Sequence, residues 1–192
     1  MEWMDNAPHD FILDFKAKDL HPFRKFTHRT FNGTDCIYFL KALKHLYQQN
    51  NTLEKAFLND LNVANQGIDT KISTFRNHFF KLPHQARTEK HISNPTRNAA
   101  CKRLNMFLRW MVRKDPSGVD FGIWKGISPA ELMLPLDVHS GRVARALGLL
   151  SRKQDDWKAV AEVTGQLKKF DPLDPVKYDY ALFGMGVTEK FI

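Results

Sequence analysis

Apolar positions along this 192-residue chain recur at intervals of three and four, the spacing that gathers them on one face of an α-helix. From Asp35 to Gln49, Ile37, Leu40, Leu43 and Tyr47 share such a face. Asn51 and Glu54 are spaced as a capping box for a helix through Leu58. Asp69 is placed to cap a helix carrying Ile72, Phe75, Phe79 and Leu82. Asn98 opens another, with Ala100, Leu104, Phe107, Leu108 and Met111 on its stripe and Trp110, beside that stripe, read as core. Ser128, Pro129 and Glu131 combine an N-cap, Pro at the first helical position and Glu at the third. Helical spacing resumes after Asp137 at Val143, Ala146, Leu147 and Leu150, and Asp155 or Asp156 opens a helix through Leu167. Asp174-Pro175 starts the last, which Gly184 should end. No run alternates between apolar and polar residues, and Asn32-Gly33 reads as a turn before a helix. His84–Thr96 and Asp115–Ile127 read as irregular. The pattern predicts an all-α protein of about eight helices.

Composition changes the picture little, and charge changes it more. Hydrophobic residues make up 43% and charged residues 26%, as in a folded soluble protein, and the length suits one domain, with or without two lobes. No apolar run approaches the roughly 20 residues of a membrane span. The opening MEWMDNAPHD has no basic and apolar succession of a secretory signal. Two cysteines, Cys36 and Cys101, are too few for a disulfide framework or a metal–thiolate cluster, so a reducing cytoplasm is the expected compartment. The net charge of +8 is concentrated: residues 76–114 hold ten Lys/Arg against one acid, Glu89. A localised basic block points to a polyanion such as nucleic acid, although a solvated basic face has the same composition.

Familiar catalytic signals are absent. The sequence has no Gly-rich phosphate loop, HExxH, CxxC or GxSxG. His78, His84 and His91 lie in the basic block without metal-ligand spacing, so no metal is expected. The informative stretch is Leu134-Pro135-Leu136-Asp137-Val138-His139, where a carboxylate sits at the mouth of a helix. An ordinary N-cap would place an aspartate there, and so would a site that turns the carboxylate toward a substrate. Phe26, His28, Arg29 and Phe31, ahead of the Asp35 helix, are either aromatics lining a base pocket or core residues at a helix entrance capped by Thr34.

The segment from Leu134 to His139, with Arg142 and the following Arg145-Ala146-Leu147-Gly148-Leu149, resembles the signature of the helix-hairpin-helix DNA glycosylases, the endonuclease III and 8-oxoguanine glycosylase superfamily. Asp179-Tyr180-Ala181-Leu182-Phe183-Gly184-Met185-Gly186 is similar to the closing helix of that domain. "HRTFNGTD" (28–35) and "KRLNMFLRWMVR" (102–113) resemble the hallmarks of an uncharacterised bacterial family related to these glycosylases. The matches cover roughly residues 24–186. Three departures stand out. Asn94-Pro95-Thr96-Arg97-Asn98 replaces the hairpin's usual Leu-Pro-Gly-x-Gly turn; the interval from Lys102 to Asp137 is long, with Asp115–Ile127 reading as an insertion; and the chain is short of helices that members place before the matched region.

The resemblance implies one glycosylase-like domain over residues 1–192, with its hairpin and catalytic region at about 69–150 and two helical lobes around a cleft. It implies that Asp137 is the catalytic carboxylate, stabilising positive charge on the sugar as the N-glycosidic bond breaks. It makes Lys102 the candidate nucleophile of an abasic-site lyase step, and Arg97, Arg103, Arg142 and Lys90 ligands of the nucleic-acid backbone, with His139 and Phe31 facing the base. The implied activity is base-excision repair of a flipped, damaged or mismatched base in double-stranded DNA. No cofactor is implied, and two cysteines cannot hold the iron–sulfur cluster of endonuclease III. The alternatives are a non-catalytic nucleic-acid-binding protein of the same fold and an RNA-directed relative, because a basic helical surface does not distinguish the two polymers.

Overall fold

The structure is a computed structural model that describes residues 2–58 and 66–188. Its eight α-helices are α1 (Pro8–Asp14), α2 (Gly33–Asn50), α3 (Leu53–Leu58), α4 (Ile68–Phe79), α5 (Lys102–Val112), α6 (Val138–Ala146), α7 (Trp157–Phe170) and α8 (Asp179–Thr188). A two-stranded hairpin, β1 (Thr27–His28) and β2 (Phe31–Asn32), and seven short 3₁₀ turns complete the described residues. The all-α class holds. No described helix is long and apolar enough to cross a membrane. The chain divides into two compact units, residues 1–64 with 74–91 and residues 65–73 with 92–192.

The eight helices are not quite the eight that periodicity predicts. Seven-residue α1 is too short to show a repeat, whereas Ser128–Glu131 forms its capping box around a single 3₁₀ turn, Pro129–Glu131. The chain leaves that turn extended at Leu132, and Pro135 soon follows to keep Leu134 out of the helical region. Helix α2 begins before its apolar face does. Asn32, not Thr34, is its N-cap, in a reciprocal capping box with Asp35. Asp69 lies inside the first turn of α4, which stops at Phe79 before Leu82. Helix α5 begins at Lys102 rather than Asn98, because Asn98 and Cys101 both take left-handed backbone (φ 58° and 50°). Gly184 does not end the last helix: α8 continues to Thr188, whose hydroxyl donates to the Gly184 carbonyl. The irregular 115–127 stretch is pinned by an antiparallel bridge between Lys114 and Phe121, and Trp110, read as core, is exposed.

In the first unit Leu20, Phe23 and Leu40 form a small core joined by Phe11, Phe15 and Ile37. In the second, Leu134 and Leu136 pack with Val143 and Ala144 of α6, Val160, Val163 and Leu167 of α7, and Leu182 of α8. The apolar residues of the Leu-Pro-Leu segment therefore anchor the chain immediately before Asp137. That burial fixes where the carboxylate emerges.

Candidate functional site

Asp137 is the N-cap its sequence context allowed through one oxygen, and its other oxygen faces Lys102. As N-cap of α6 it accepts from the Ser140 amide through Oδ1 (2.9 Å), and the Ser140 hydroxyl accepts in return from the Asp137 amide (3.0 Å). Its Oδ2 is turned to Lys102, whose Nζ donates to it at 2.8 Å. The carboxylate is 10% exposed and the lysine side chain 45%, so the pair is closed from below and open to solvent from the amine side. Burial favours the protonated acid, but hydrogen bonds from Lys102 and Ser140 outweigh it and hold the Asp137 carboxyl below the usual carboxylate value. At neutral pH it is an anion beside a cation.

Lys102 is delivered by the turn that precedes α5. There, 3₁₀ turn Pro95–Arg97 ends at left-handed Asn98, whose side chain donates to Asp156 Oδ2 (2.7 Å) and whose carbonyl accepts from the Trp157 amide (3.1 Å). Asp156 caps α7 and is gripped by Arg152, so the turn is clamped to a helix start. Cys101, also left-handed, then directs α5 toward Asp137. Such conformations cost a non-glycine residue on the order of 1 kcal/mol each. One helical turn beyond Lys102, Asn105 is buried; its amide donates to the Ala100 carbonyl (3.2 Å), and its Oδ1 has no partner.

Beyond Asn105 on the same side of α5, Arg109 is buried among acids that periodicity does not reveal. Its guanidinium donates to Asp120 (3.1 Å), to Asp179 at the start of α8 and to the Tyr180 hydroxyl (3.3 Å). Arg113 shares Asp120 (2.8 Å) and also holds Asp174 (2.9 Å). Burial pushes the Asp179 carboxyl up to about 6; Arg109 opposes the shift, and the negative charges of Asp137 and Asp120 add to it. Only the position of Arg109, seven residues after Lys102 and so on its side of the helix, hinted at this cluster.

The remaining candidates fall in different places. His139 and Arg142 belong to α6, and both are committed to α8: the Gly186 carbonyl accepts from Arg142 (2.7 Å) and lies 3.2 Å from His139 Nδ1. His139 also meets the Phe183 ring edge-on. Gly186 permits this approach, because a Cβ there would stand 2.8 Å from the His139 carbonyl oxygen. Arg97 and Arg103 are exposed in the second unit, near Lys102 in sequence. Lys90 and Phe31 belong to the first unit. Phe31 packs among Phe26, Phe39 and His91, the core-like arrangement of the two that its context allowed. Nearby, Asp35 is fully buried and accepts from Arg87 (2.9 Å), Thr88 (2.8 Å) and His91 (3.2 Å), tying the 86–91 turn to α2. Among the described residues no group of three His, Cys, Asp or Glu could hold a metal ion.

The fold and site define an all-α protein with a solvent-open lysine paired to a helix-capping aspartate. The model of the family described as Protein of unknown function (DUF2400) matches residues 1–188, and the chain belongs to that family. No curated protein and no solved structure matches it.

Proposed function

We propose that this protein is a cytoplasmic DNA N-glycosylase of the helix-hairpin-helix glycosylase type, with an abasic-site lyase step carried by Lys102. What supports the reading above all is the 2.8 Å contact between Lys102 Nζ and Asp137 Oδ2, two residues 35 positions apart in the chain. In the proposed reaction the free amine of Lys102 forms a bond to C1′ of the sugar. The C1′–N bond to the base breaks, and the base leaves with a proton. Ring opening then breaks the C1′–O4′ bond, O4′ takes up a proton, and an iminium forms between Lys102 and C1′; loss of a C2′ proton to solvent then expels the 3′ phosphate as the C3′–O bond breaks. Asp137 stabilises the positive charge that develops on the sugar and accepts the proton that the ammonium must lose. Left-handed Asn98 and Cys101 support the reading too, since they supply without glycine the backbone turns for which the resembling family uses glycines.

Borohydride trapping tests the proposal. With a duplex carrying one abasic site, hydride reduces the iminium to a stable secondary amine, and the protein should run as a covalent complex with DNA. Lys102→Gln should abolish that band while the fold survives. A Lys102–Asp137 ion pair without catalysis is the alternative, favoured by the ordinary geometry of a half-exposed surface pair. Absence of both trapping and base release from a panel of damaged and mismatched duplexes decides for it.

Binding itself should depend on salt. With five to eight phosphates contacted, log K against log[salt] should have a slope of about −4.5 to −7. Replacing Arg97 and Arg103 together by Ala should lower its magnitude by roughly two. Arg142, engaged with Gly186, should contribute less than either. A slope near zero, measured by fluorescence anisotropy, removes the nucleic-acid reading.

A further inference from the structure

Residues 1–22 reverse the sign of an otherwise basic chain. The net charge is +8, yet this stretch holds five acids against two lysines. Four of those acids, Asp5, Asp10, Asp14 and Asp19, border one cavity of about 600 Å³, the size of a small-molecule site. Trp3, Phe11 and Phe15 supply aromatic wall, and among the described residues no lysine, arginine or histidine lines the cavity. All of these residues belong to the first unit.

Local sequence builds the cavity. Pro8 starts α1, which places Asp10 and Asp14 four apart on one side. Phe11 and Phe15, spaced likewise, stack at 5.7 Å. Ahead of the helix, Asp5 and Asn6 both take left-handed backbone (φ 49° and 56°) and reverse the chain, so that Trp3 and Asp5 border the same cavity as α1. Trp3 meets Phe23 edge-on at 5.5 Å, and Phe11 leans on the same ring at 5.6 Å. Phe23 belongs to the core of this unit, so both rings stand on a fixed base. Trp3 nevertheless stays 54% exposed.

The carboxylates are hardly neutralised from within. Their one ionic partner among the described residues is His9, 3.3 Å from Asp10, while Asp19 accepts from the Lys16 amide (2.8 Å). Nor do they converge, since among the described residues no group of three could hold a metal ion. Separated negative charges around aromatic rings suit an extended cation whose own charges are separated. One ring already holds an ammonium: Lys44 Nζ lies 4.5 Å from the centre of Phe15 and donates to the Phe15 carbonyl (2.7 Å). Phe11 and Trp3, the ring type that attracts cations best, are left for a ligand.

We propose that this cavity binds a linear polyamine, with protonated amines against the carboxylates and the methylenes between them on Trp3 and Phe11. Side chains four apart on a helix stand about 5–6 Å apart, the span of three or four methylenes between two amines. Asp10 and Asp14 therefore match neighbouring amines, and Asp5 and Asp19 remain for a third. The proposal concerns the first unit alone and stands apart from the DNA reading, so either can fail without the other.

Titration calorimetry of the full chain with spermidine, at fixed ionic strength, tests it. One spermidine should bind per chain. Asp10→Asn with Asp14→Asn should weaken binding at least tenfold and leave the melting temperature of the free protein unchanged, because both side chains are exposed. If that variant melts well below the wild type, Asp5→Asn with Asp14→Asn replaces it and carries the same expectation. Trp3→Ala should weaken binding severalfold, and Trp3→Phe should retain most of the affinity. Magnesium, a compact dication, should not compete; full competition makes the cavity a general acidic surface and overturns the proposal. A hexalysine peptide should bind no more tightly than spermidine. Tighter binding of the peptide, lost in the same variants, assigns the cavity to a basic protein segment and overturns it too. So does spermidine binding that survives the paired Asn substitutions, or its absence in the wild type.

Discussion

Asp137→Asn should lower base release and abasic-site cleavage by at least 10²-fold, about 2.7 kcal/mol in the barrier, with little change in melting temperature. The geometry separates the two effects. The N-cap is made through Oδ1, and Asn offers the same oxygen to the Ser140 amide. The ion pair made through Oδ2 is lost, but Lys102 is nearly half exposed, so that loss costs less than about 1 kcal/mol, a shift of roughly 2–4 °C. What disappears entirely is the negative charge facing the amine, and with it the acceptor for its proton. DNA affinity should hold or rise, because an anion has left a basic surface. The pH dependence of stability carries a further sign. The folded Asp137 carboxyl lies below the value of a free aspartate, so its stabilisation is present above that free value and is lost as pH falls through the folded one. The small difference between wild type and Asp137→Asn should therefore vanish in acid. Single-turnover assays beside thermal melts check all of this, and a variant that cleaves like the parent sinks the proposed chemistry.

Removing Arg109 should be the most damaging single change to stability. Arg109→Leu takes the cation from Asp179 and leaves Asp120 with Arg113 alone, at a cost of about 3–5 kcal/mol and a fall of roughly 10 °C in melting temperature. The size of the deficit should follow the titration of Asp179. Burial holds its folded carboxyl at about 6, above that of a free aspartate, so its contribution is most favourable below the free value and declines as pH rises through the folded one. Without Arg109 the carboxyl moves higher still, and ionising it at pH 8 meets no nearby cation. The deficit should thus be larger at pH 8 than at pH 5, where Asp179 is protonated in both proteins. Urea unfolding at the two values measures it. Equal deficits would show that Arg109 acts by packing alone.

Local chemistry was enough to read much of this protein from its sequence. A cap residue followed by apolar spacing marks a helix wherever the tertiary fold does not intervene, and α5, α6 and α7 were visible for that reason, with Asp137 and Asp156 as their caps where caps exist. The same local rules misplace ends that depend on backbone sign: Asn98 turns left-handed where Asp156 and Trp157 hold it, Cys101 turns left-handed just before α5, and Gly184 stays inside a helix that runs on to Thr188. Asp137 was legible as a carboxylate at a helix mouth, but its division of labour between Ser140 and Lys102 is a property of two segments meeting. So are the buried Arg109–Asp120–Asp179 cluster and the outward Val119–Phe121–Ile123 face. Periodicity reports which residues share a face, and only packing decides whether that face turns to the core or to solvent. Here the core took the acids, because two arginines were already inside to receive them.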